Sequence, residues 1–309
     1  MVSVCVITYN SSKTVIETLE SIKAQTYPNM ELIISDDGSK DDTVAVCREW
    51  MALNKERFVR TEIVAVEKNT GVAGNCNRAE KACKGEWIKP IAGDDVLLPD
   101  CIQEYMGYVA AHPDTVYLFS KQKAFGADVE YCQKVDGYFD YSFYCLAPEV
   151  QLHRLLFEGN CLPAPTAFYR KNEVQELGLK YDERIPLLED WPRWINLLRA
   201  GVKFHFIDKV LVKYRVGGIS TEKWKSVRAY ESGRLMCFYY QYPDWYKEDP
   251  EKAVARVVKD EMEIYKYLLE SEKQLNQIRQ STAYRLGKMI LHPNKLTFCN
   301  LFHIKMKSK

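Results

Sequence analysis

Apolar residues in the first hundred positions form short runs that alternate with segments of helical periodicity. The runs are rich in β-branched residues and too short for helices, so they predict strands at residues 2–9, 31–35, 62–66 and 86–92. Between them, apolar residues recur at three- and four-residue steps, which predicts helices at 15–22, 42–51 and 74–83. Such alternation predicts an α/β fold with a mostly parallel, Rossmann-like central sheet flanked by helices.

The pattern beyond residue 98 is less regular. It predicts helices at 100–111 and 191–200, and strands at 116–120, 204–207 and 210–214. A middle section rich in Tyr, Phe and Pro gives no clear period, whereas residues 224–278 have helical periodicity and predict a C-terminal helical extension. We therefore predict two halves of one domain, residues 1–105 and 106–224, followed by the extension at 225–309.

Composition limits the class of protein. Of the 309 residues, 47% are hydrophobic and 28% charged, with a formal net charge of +1, which excludes a disordered chain and a membrane bundle and argues against nucleic-acid binding. No apolar stretch approaches the roughly 18 residues of a spanning helix, and the start lacks a signal-peptide pattern. Ten cysteines without a C-x-x-C pair indicate reduced thiols. We expect a cytoplasmic protein.

The carboxyl ends of parallel strands meet at one edge of the sheet, where ligands bind. Two acidic pairs fall there, Asp36-Asp37 after the second strand and Asp94-Asp95 after the fourth. Adjacent carboxylates are the oxygen ligands that Mg²⁺ or Mn²⁺ prefers, although an Asp-rich turn that caps the next helix is the alternative. A dinucleotide-binding enzyme would need a glycine-rich turn after the first strand, and residues 8–13 contain no glycine.

Five segments in order resemble the motifs of family 2 glycosyltransferases. They are residues 2–10 (VSVCVITYN), 21–28 (SIKAQTYP), 31–39 (ELIISDDGS), 69–71 (NTG) and 93–95 (GDD). The resemblance is close over residues 1–110 and looser through residues 189–191 and 214–215. It implies the GT-A fold and an inverting transfer from a nucleoside-diphosphate sugar, with uridine as the favoured base.

The resemblance also implies roles for individual residues of the donor site. Thr8 and Asp37 would contact the nucleobase and ribose, with Tyr9 and Asn10 lining the same pocket, while one acid of the Asp36-Asp37 pair only forms the turn. The other implied donor residues lie near the ribose, sugar or diphosphate: Asn69, Arg78, Asp94 and Arg215. Arg78 as a solvated helix residue and Arg215 as a structural ion pair are the alternatives.

Asp95 would bind the metal, Mg²⁺ or Mn²⁺. Family members often carry a His shortly after the later Tyr-Arg; none follows Tyr214-Arg215 closely here, so we assign no third metal ligand.

Inverting transfer needs a general base that takes the proton of the acceptor hydroxyl. Asp190 matches the base position of the family, with Glu189 as the second choice; a first-turn acid favoured by the helix dipole is the alternative. Processive synthases of this family carry Gln-x-x-Arg-Trp and membrane spans. Here Asp190 stands where their Gln would precede Arg193-Trp194, which favours transfer of a single sugar.

An aromatic group in the second half provides either a sugar-binding surface or core packing: Tyr138, Phe139, Tyr141, Phe143 and Tyr144.

The tail from residue 273 carries eight Lys/Arg residues and no acidic residue, interspersed with apolar residues. This composition fits binding to an anionic membrane surface, with oligomer contact or a solvated tail as the alternative. We expect a glycosyltransferase of surface-polysaccharide assembly that uses a glycan or lipid-linked acceptor, peripheral at the inner face of the cell membrane. The alternative is a catalytically inactive sugar-nucleotide or glycan-binding module on the same fold.

Overall fold

A computed structural model describes residues 1–185, 187–217 and 227–269. The chain divides into two units, Met1–Glu222 and Lys223–Lys309. The basic tail predicted from residue 273 lies outside the described residues, and the predicted domain boundaries at residues 105 and 224 stay predictions. None of the helices described is long and apolar enough to cross a membrane.

Eight strands form one sheet in the first unit. They are β1 Val2–Thr8, β2 Met30–Asp36, β3 Arg60–Ala65, β4 Trp87–Ala92, β5 Val96–Leu97, β6 Tyr117–Phe125, β7 Phe168–Arg170 and β8 Phe204–Arg215. Their order across the sheet is β3-β2-β1-β4-β7-β6-β8-β5. The first four strands are parallel, as predicted, and so are β6 and β8, whereas β7 is antiparallel to both of its neighbours and β5 is antiparallel to β8.

Eight α-helices precede or follow these strands in the part of the first unit that the structure describes. They are α1 Val15–Lys23, α2 Thr43–Asn54, α3 Val72–Ala82, α4 Cys101–Ala111, α5 Val129–Tyr138, α6 Pro148–Phe157, α7 Lys171–Glu176 and α8 Asp190–Arg199. In the second unit, α9 Val227–Met236 continues through a π-helical segment, Cys237–Gln241, into α10 Tyr242–Glu248, and α11 Pro250–Leu269 follows. This confirms the predicted α/β class with a helical extension.

The core lies around β1 and β2, because helices cover both faces of the parallel strands. Every residue of β2 is buried, and Val4 of β1 packs in one apolar cluster with Leu19 of α1 and Tyr105 of α4. A strand buried on both faces has a nearly continuous apolar sequence rather than an alternating one. For this reason the sequence located these strands to within two residues.

Two features of the second half differ from the prediction. The two strands predicted at residues 204–207 and 210–214 form one continuous strand, β8. Asp208 and Lys209 do not form a turn between them but bulge out of the ladder with β6, in which Ser120 pairs with Ile207 and the next residue, Lys121, pairs with Val210. Helices α5 and α6 also stand where the aromatic section gave no clear period. Each helix buries few residues, Cys132 in α5 and Gln151, Leu155 and Leu156 in α6, so the apolar period that marks a helix is short in both.

Candidate functional site

Strands β1 and β2 end side by side, and hydrogen bonds connect the end of β1 to the loop that follows β2. Thr8 lies opposite Asp36 in the ladder, and its hydroxyl donates to Asp36 Oδ2 at 2.9 Å. Asp36 Oδ1 accepts from the amides of Gly38 and Ser39, at 3.1 and 2.9 Å. Gly38 has a φ of +76°, in the left-handed region that favours glycine. Asp36 is therefore the turn-forming member of the acidic pair.

Asp37 lies beneath the loop that follows β3. Its carboxylate accepts from the amides of Thr70 and Gly71, at 3.0 and 2.9 Å, and from the Thr70 hydroxyl at 2.6 Å. Arg78 Nη2 of α3 also donates to it at 2.9 Å, and the Asp37 side chain is only 3% exposed. Asn69, in the same loop, is exposed, and its side chain accepts from the Gly71 amide. The structure thus brings Asp37, Asn69 and Arg78 together.

The side chain of Arg78 turns inward rather than into solvent. Besides Asp37, its guanidinium donates to Asn75 Oδ1 at 3.0 Å, to Thr70 Oγ1 at 3.2 Å and to Ser35 Oγ at 3.3 Å. An arginine with four protein acceptors is held in one orientation. Arg78 therefore fixes the geometry of the rim around Asp37, and it is not a solvated helix residue.

Hydrogen bonds join the turn after β1 to the loop after β2. Asn10 has a φ of +53°, and its side chain accepts from the Lys40 amide at 2.8 Å, while its own amide donates to Ser39 Oγ at 2.8 Å. Asn tolerates this left-handed conformation better than most residues. Tyr9, just before it, is partly exposed. Together these contacts hold the exposed Asn10 beside the Asp36-Asp37 turn.

The second acidic pair lies at the end of β4, next to β8. Asp95 is 1% exposed, and its Oδ1 accepts from the amide of Arg215 at 2.9 Å. Asp94 is partly exposed, and its carbonyl accepts from Arg215 Nε at 2.9 Å. The guanidinium of Arg215 also pairs with Glu17 and lies 4.4 Å from the ring centre of Phe125. Arg215 is thus tied to the carboxylate pair through backbone atoms.

Burial raises the pKa of both carboxyl groups in this pair. For Asp95 the negative charge of Asp94 raises the pKa further, whereas for Asp94 the charge of Arg215 opposes the rise. Two desolvated neighbouring carboxyls are a hard oxygen donor set that a divalent cation would neutralise, so the residues fit Mg²⁺ or Mn²⁺. Among the residues described, no group of three or more His, Cys, Asp or Glu could hold a metal. The remaining ligands would have to be donor phosphates and water.

Close contact at a glycine brings this pair to the end of β1. A Cβ added at Gly93 would lie 2.8 Å from Thr8 Cγ2 and 3.3 Å from Ser11 Cβ. The Gly93 carbonyl accepts from the Thr14 hydroxyl at 2.8 Å. Only a residue without a side chain fits this approach, so Gly93 sets the distance between the turn after β1 and Asp94-Asp95.

A third carboxyl pair, Glu189 and Asp190, stands at the start of α8. Burial raises the pKa of Glu189 to about 8, with the neighbouring charge of Asp190 as the second cause. Burial also raises the pKa of Asp190, but two hydrogen bonds oppose this, from Asn160 Nδ2 at 2.9 Å and from the Trp191 amide at 2.8 Å. Near neutral pH the Glu189 carboxyl therefore holds a proton, whereas the two hydrogen bonds to Asp190 favour its charged form.

Helix α3 connects the first strand, the Asp37 loop and the acids of α8 through nearby residues. Asn75 Nδ2 donates to the Thr8 carbonyl at 3.2 Å, and Arg78 binds Asp37. The pKa of the Cys76 thiol is raised by burial and, next, by the charge of Glu189. The same helix thus contacts β1 and the Asp37 loop, and it lies near enough to Glu189 for that charge to act on Cys76.

Two residues that stabilise this arrangement were not singled out as site residues in the sequence. Glu80 of α3 and Arg193 of α8 form a buried ion pair of 2.6 Å, and the guanidinium lies 4.0 Å from the ring centre of Tyr181. Tyr169 also donates to Glu80. In the sequence, Glu80 interrupts the apolar helix face formed by Cys76 and Ala79. A charged residue on a buried face needs a partner, and this feature of the sequence could have identified Glu80 as a buried ion-pair residue.

The structure separates the predicted aromatic group into core and surface. Phe143 is fully buried, and Tyr144 stacks on Phe206 at a centroid distance of 4.6 Å. Tyr141 stacks on the same ring at 5.4 Å. Tyr138, by contrast, is 63% exposed. Core packing therefore accounts for Phe143 and Tyr144 but not for Tyr138.

Comparison with known proteins places the chain among glycosyltransferases. Residues 3–170 match the family model described as Glycosyl transferase family 2. The chain is similar to an Escherichia coli UDP-Glc:alpha-D-GlcNAc-diphosphoundecaprenol beta-1,3-glucosyltransferase, with 27% identity over 78% of this chain and 92% of that protein. It is also similar to a putative teichuronic acid biosynthesis glycosyltransferase of Bacillus subtilis, with 22% identity over 74% of this chain and 84% of that protein.

Solved structures share the fold. TarS 1-349 of S. aureus in complex with UDP-GlcNAc has a TM-score of 0.60 and 22% identity, over 77% of this chain and 65% of the TarS chain. A mannosyltransferase of Pyrobaculum calidifontis in complex with GDP-Man and Mn²⁺ has a TM-score of 0.55 and 14% identity, over 96% of this chain and 88% of that one. At these identities the similarity establishes the fold.

Proposed function

The chain belongs to glycosyl transferase family 2 and has the GT-A fold, and from this premise we propose that it transfers a single sugar, with inversion, from a nucleoside-diphosphate sugar to a glycan or lipid-linked acceptor. The names of the E. coli and B. subtilis relatives favour a role in surface-polysaccharide assembly. The observation that carries the proposal is the position of α3, which contacts Asp37 through Arg78 and is joined to α8, the helix that begins at Asp190, by the Glu80–Arg193 ion pair. One helix thereby links a nucleotide-side loop to a candidate base.

The donor would bind across the ends of β1, β2 and β4. We assign Thr8, Tyr9, Asn10, Asp37, Asn69, Arg78, Asp94 and Arg215 to the donor site. In this assignment Asp37 acts together with Arg78, because its carboxylate already accepts from that side chain and from the loop amides. A uridine nucleotide is favoured, since one relative is named for UDP-Glc and one fold neighbour holds UDP-GlcNAc, although another holds GDP-Man.

Asp95 and Asp94 are the residues that would hold Mg²⁺ or Mn²⁺. A bound divalent ion would neutralise the charge that develops on the departing diphosphate. Asp94 is the more exposed of the two, whereas one oxygen of Asp95 is taken by the Arg215 amide. We therefore assign Asp95 a double role, in which its second oxygen is available to a cation while the first holds β8 in place.

Asp190 is the proposed general base. The acceptor hydroxyl oxygen attacks the anomeric carbon, its proton passes to an Asp190 carboxylate oxygen, and the bond from that carbon to the diphosphate breaks, so the nucleoside diphosphate leaves with the electron pair. Asp190 suits this role better than Glu189, because two hydrogen bonds stabilise its charged form. Glu189, with its pKa of about 8, remains protonated at neutral pH.

Donor turnover tests the proposal directly. We expect Mn²⁺-dependent release of nucleoside diphosphate from UDP-glucose, UDP-GlcNAc or GDP-mannose, abolished by EDTA and reduced at least about a hundredfold in Asp190→Asn. The exposed acid Glu176 of α7 provides the control, and Glu176→Gln should keep wild-type activity. Donor binding without turnover, equal in wild type and Asp190→Asn, would instead identify an inactive sugar-nucleotide-binding module.

We also propose that residues 273–309 bind an anionic membrane surface, which is where a lipid-linked acceptor would be found. The eight basic residues and the absence of acids in this segment support the proposal. The rest of the chain carries a net charge of −7, so the near-neutral total combines two parts of opposite charge.

A further inference from the structure

An exposed aromatic ring is tethered to the candidate base through one asparagine. The Tyr138 hydroxyl donates to the carbonyl of Asn160 at 2.6 Å, and Asn160 Nδ2 donates to Asp190 Oδ2 at 2.9 Å. Tyr138 is 63% exposed, although burial of its hydroxyl raises its pKa, and the charges of Cys161 and Asp190 add to the rise. The ring is therefore open to solvent while its polar end is fixed near the carboxylate.

The amide of Asn160 has a single orientation. Its Oδ1 accepts from the amide of Leu162 at 3.1 Å, so Nδ2 must be the atom that faces Asp190. Turning the amide over would lose the bond to Leu162 and set an oxygen against a carboxylate. Because Tyr138 holds the carbonyl of the same residue, the ring, the amide and the base keep a fixed geometry.

Helix α5 holds Tyr138 on a rigid support. Its buried Cys132 packs with Ala124 of β6 and Val216, and Asp136 accepts from the Ala124 amide at 2.7 Å. Asp128 caps the helix by accepting from the amide of Tyr131 at 2.9 Å. An exposed ring on a well-anchored helix end loses little conformational entropy when a ligand covers it.

We propose that Tyr138 is an acceptor-binding residue and that the acceptor is a pyranose whose apolar face stacks on this ring while its hydroxyl reaches Asp190. The inference rests on the proposed function and adds the chemical class of the acceptor end. A tyrosine offers a sugar both a flat apolar face and a polar edge. An acyclic polyol has hydroxyl groups but no ring face, so Tyr138 would give it no comparable contact.

The test compares acceptors and variants in one assay. Release of nucleoside diphosphate is measured from UDP-glucose, UDP-GlcNAc and GDP-mannose with Mn²⁺, in water alone, with methyl glycopyranosides and with glycerol. In Tyr138→Ala we expect the KM of the pyranoside to rise three- to tenfold above that of Tyr138→Phe, while hydrolysis by water and any transfer to glycerol agree within twofold between these two variants, because both lack the hydroxyl bond to Asn160. Tyr138→Phe keeps the ring and should keep the pyranoside KM within about twofold.

Tyr131 provides the matched control, because it is an exposed tyrosine on the same helix about two turns away. Tyr131→Ala should leave every parameter unchanged. The inference is overturned if Tyr138→Ala leaves the pyranoside KM unchanged, if Tyr138→Phe loses as much as Tyr138→Ala, or if wild type turns over a donor without transfer to any pyranoside. Absence of all donor turnover in wild type would instead overturn the proposed function on which the inference rests.

Discussion

Arg193 of α8 forms an ion pair with Glu80 of α3 inside the protein, with 2.6 Å between Nη2 and Oε1 and no exposure of the arginine side chain. The two residues are 113 positions apart in the sequence. Their pairing fixes α8, which begins at Asp190, against the helix that carries Arg78. The position of the candidate base thus depends on a buried contact between two helices.

Removing one partner of this pair should destabilise the fold strongly. Arg193→Met leaves the Glu80 carboxylate buried without a counter-charge, so we expect the free energy of unfolding to fall by about 3–5 kcal/mol. The double variant Glu80→Gln, Arg193→Met should lose less, because no charge remains buried. Urea unfolding measures both.

The control for the ion pair is Arg154→Met, which removes a more exposed arginine from its pairs with Asp140 and Glu158 and should cost about 1 kcal/mol or less. Equal losses for Arg154→Met and Arg193→Met would contradict the importance of the buried pair. A double variant as unstable as Arg193→Met would contradict the explanation by an uncompensated charge.

Loss of the Asn160 amide should shift the pH dependence of activity. As the proposed base, Asp190 must be ionised to accept a proton, so we expect activity to fall as the pH falls through its pKa. Burial already raises that pKa, and the hydrogen bond from Asn160 opposes the rise. In Asn160→Ala the pKa should increase again, which moves the acid limb of the kcat/KM profile to higher pH by about one unit.

The profile is measured from the release of nucleoside diphosphate. Asn54→Ala is the control, since the amide of Asn54 donates to the carbonyl of Trp50 in α2. Its acid limb should match that of wild type. An acid limb that does not move in Asn160→Ala would argue that Asp190 is not the titrating base.

Gly93 should tolerate alanine only if Thr8 is made smaller. The added Cβ would lie 2.8 Å from Thr8 Cγ2, so Gly93→Ala should lower stability by about 1–3 kcal/mol and weaken donor binding. Thr8→Ser removes that methyl group and keeps the hydroxyl that binds Asp36. The double variant should recover much of both losses, as measured by thermal unfolding and by titration with UDP.

Gly107 of α4 serves as the comparison, because a Cβ there meets no atom within 4 Å. Gly107→Ala should be neutral or stabilising, since alanine favours a helix. If the double variant recovers nothing, the contact with Thr8 is not what excludes a side chain at residue 93.

Charge reversal in the tail should release the protein from anionic vesicles. Replacing Lys305, Lys307 and Lys309 with glutamate removes most of the positive charge of residues 273–309 and should lower partitioning to vesicles of phosphatidylglycerol and phosphatidylcholine at least about tenfold. Co-sedimentation measures the bound fraction.

The same three reversals at the exposed residues Lys55, Lys180 and Lys203 form the control and should leave vesicle binding unchanged. Equal losses for the two triple variants would indicate a general charge effect. Absence of binding by the wild type would contradict the proposal for the tail.

The sequence predicted the parallel part of the sheet well, because strands buried on both faces and amphipathic helices leave strong local patterns. It also placed Asp36 and Asp37 on the same rim as Asp94 and Asp95. It did not decide which of Asp36 and Asp37 forms the turn, since both follow the same strand. Only the folded loop shows that Asp36 binds the Gly38 and Ser39 amides while Asp37 turns beneath Thr70.

Contacts between distant segments could not be predicted from local patterns. Asn160 meets Asp190 across 30 positions, and no local period encodes that contact. For the bulge in β8 the local sequence was misleading: Asp208 and Lys209 have the polar sequence of a turn, but they lie within one strand. Helix α5 was missed although Val129, Cys132 and Val135 recur at three-residue steps, because its aromatic residues mask that period.

If the donor binds at Asp37 and Asp190 is the base, the shared position of α3 predicts that donor occupancy and base ionisation are thermodynamically linked. Arg78 and Cys76 are only two residues apart, so a displacement of α3 that improves the fit around Asp37 also changes the surroundings of Glu189 and Asp190. Linkage is reciprocal: if a bound nucleotide lowers the proton affinity of the Glu189–Asp190 pair, loss of that proton must tighten nucleotide binding by the same factor. The protein would then hold its donor most firmly in the ionisation state that is ready for transfer.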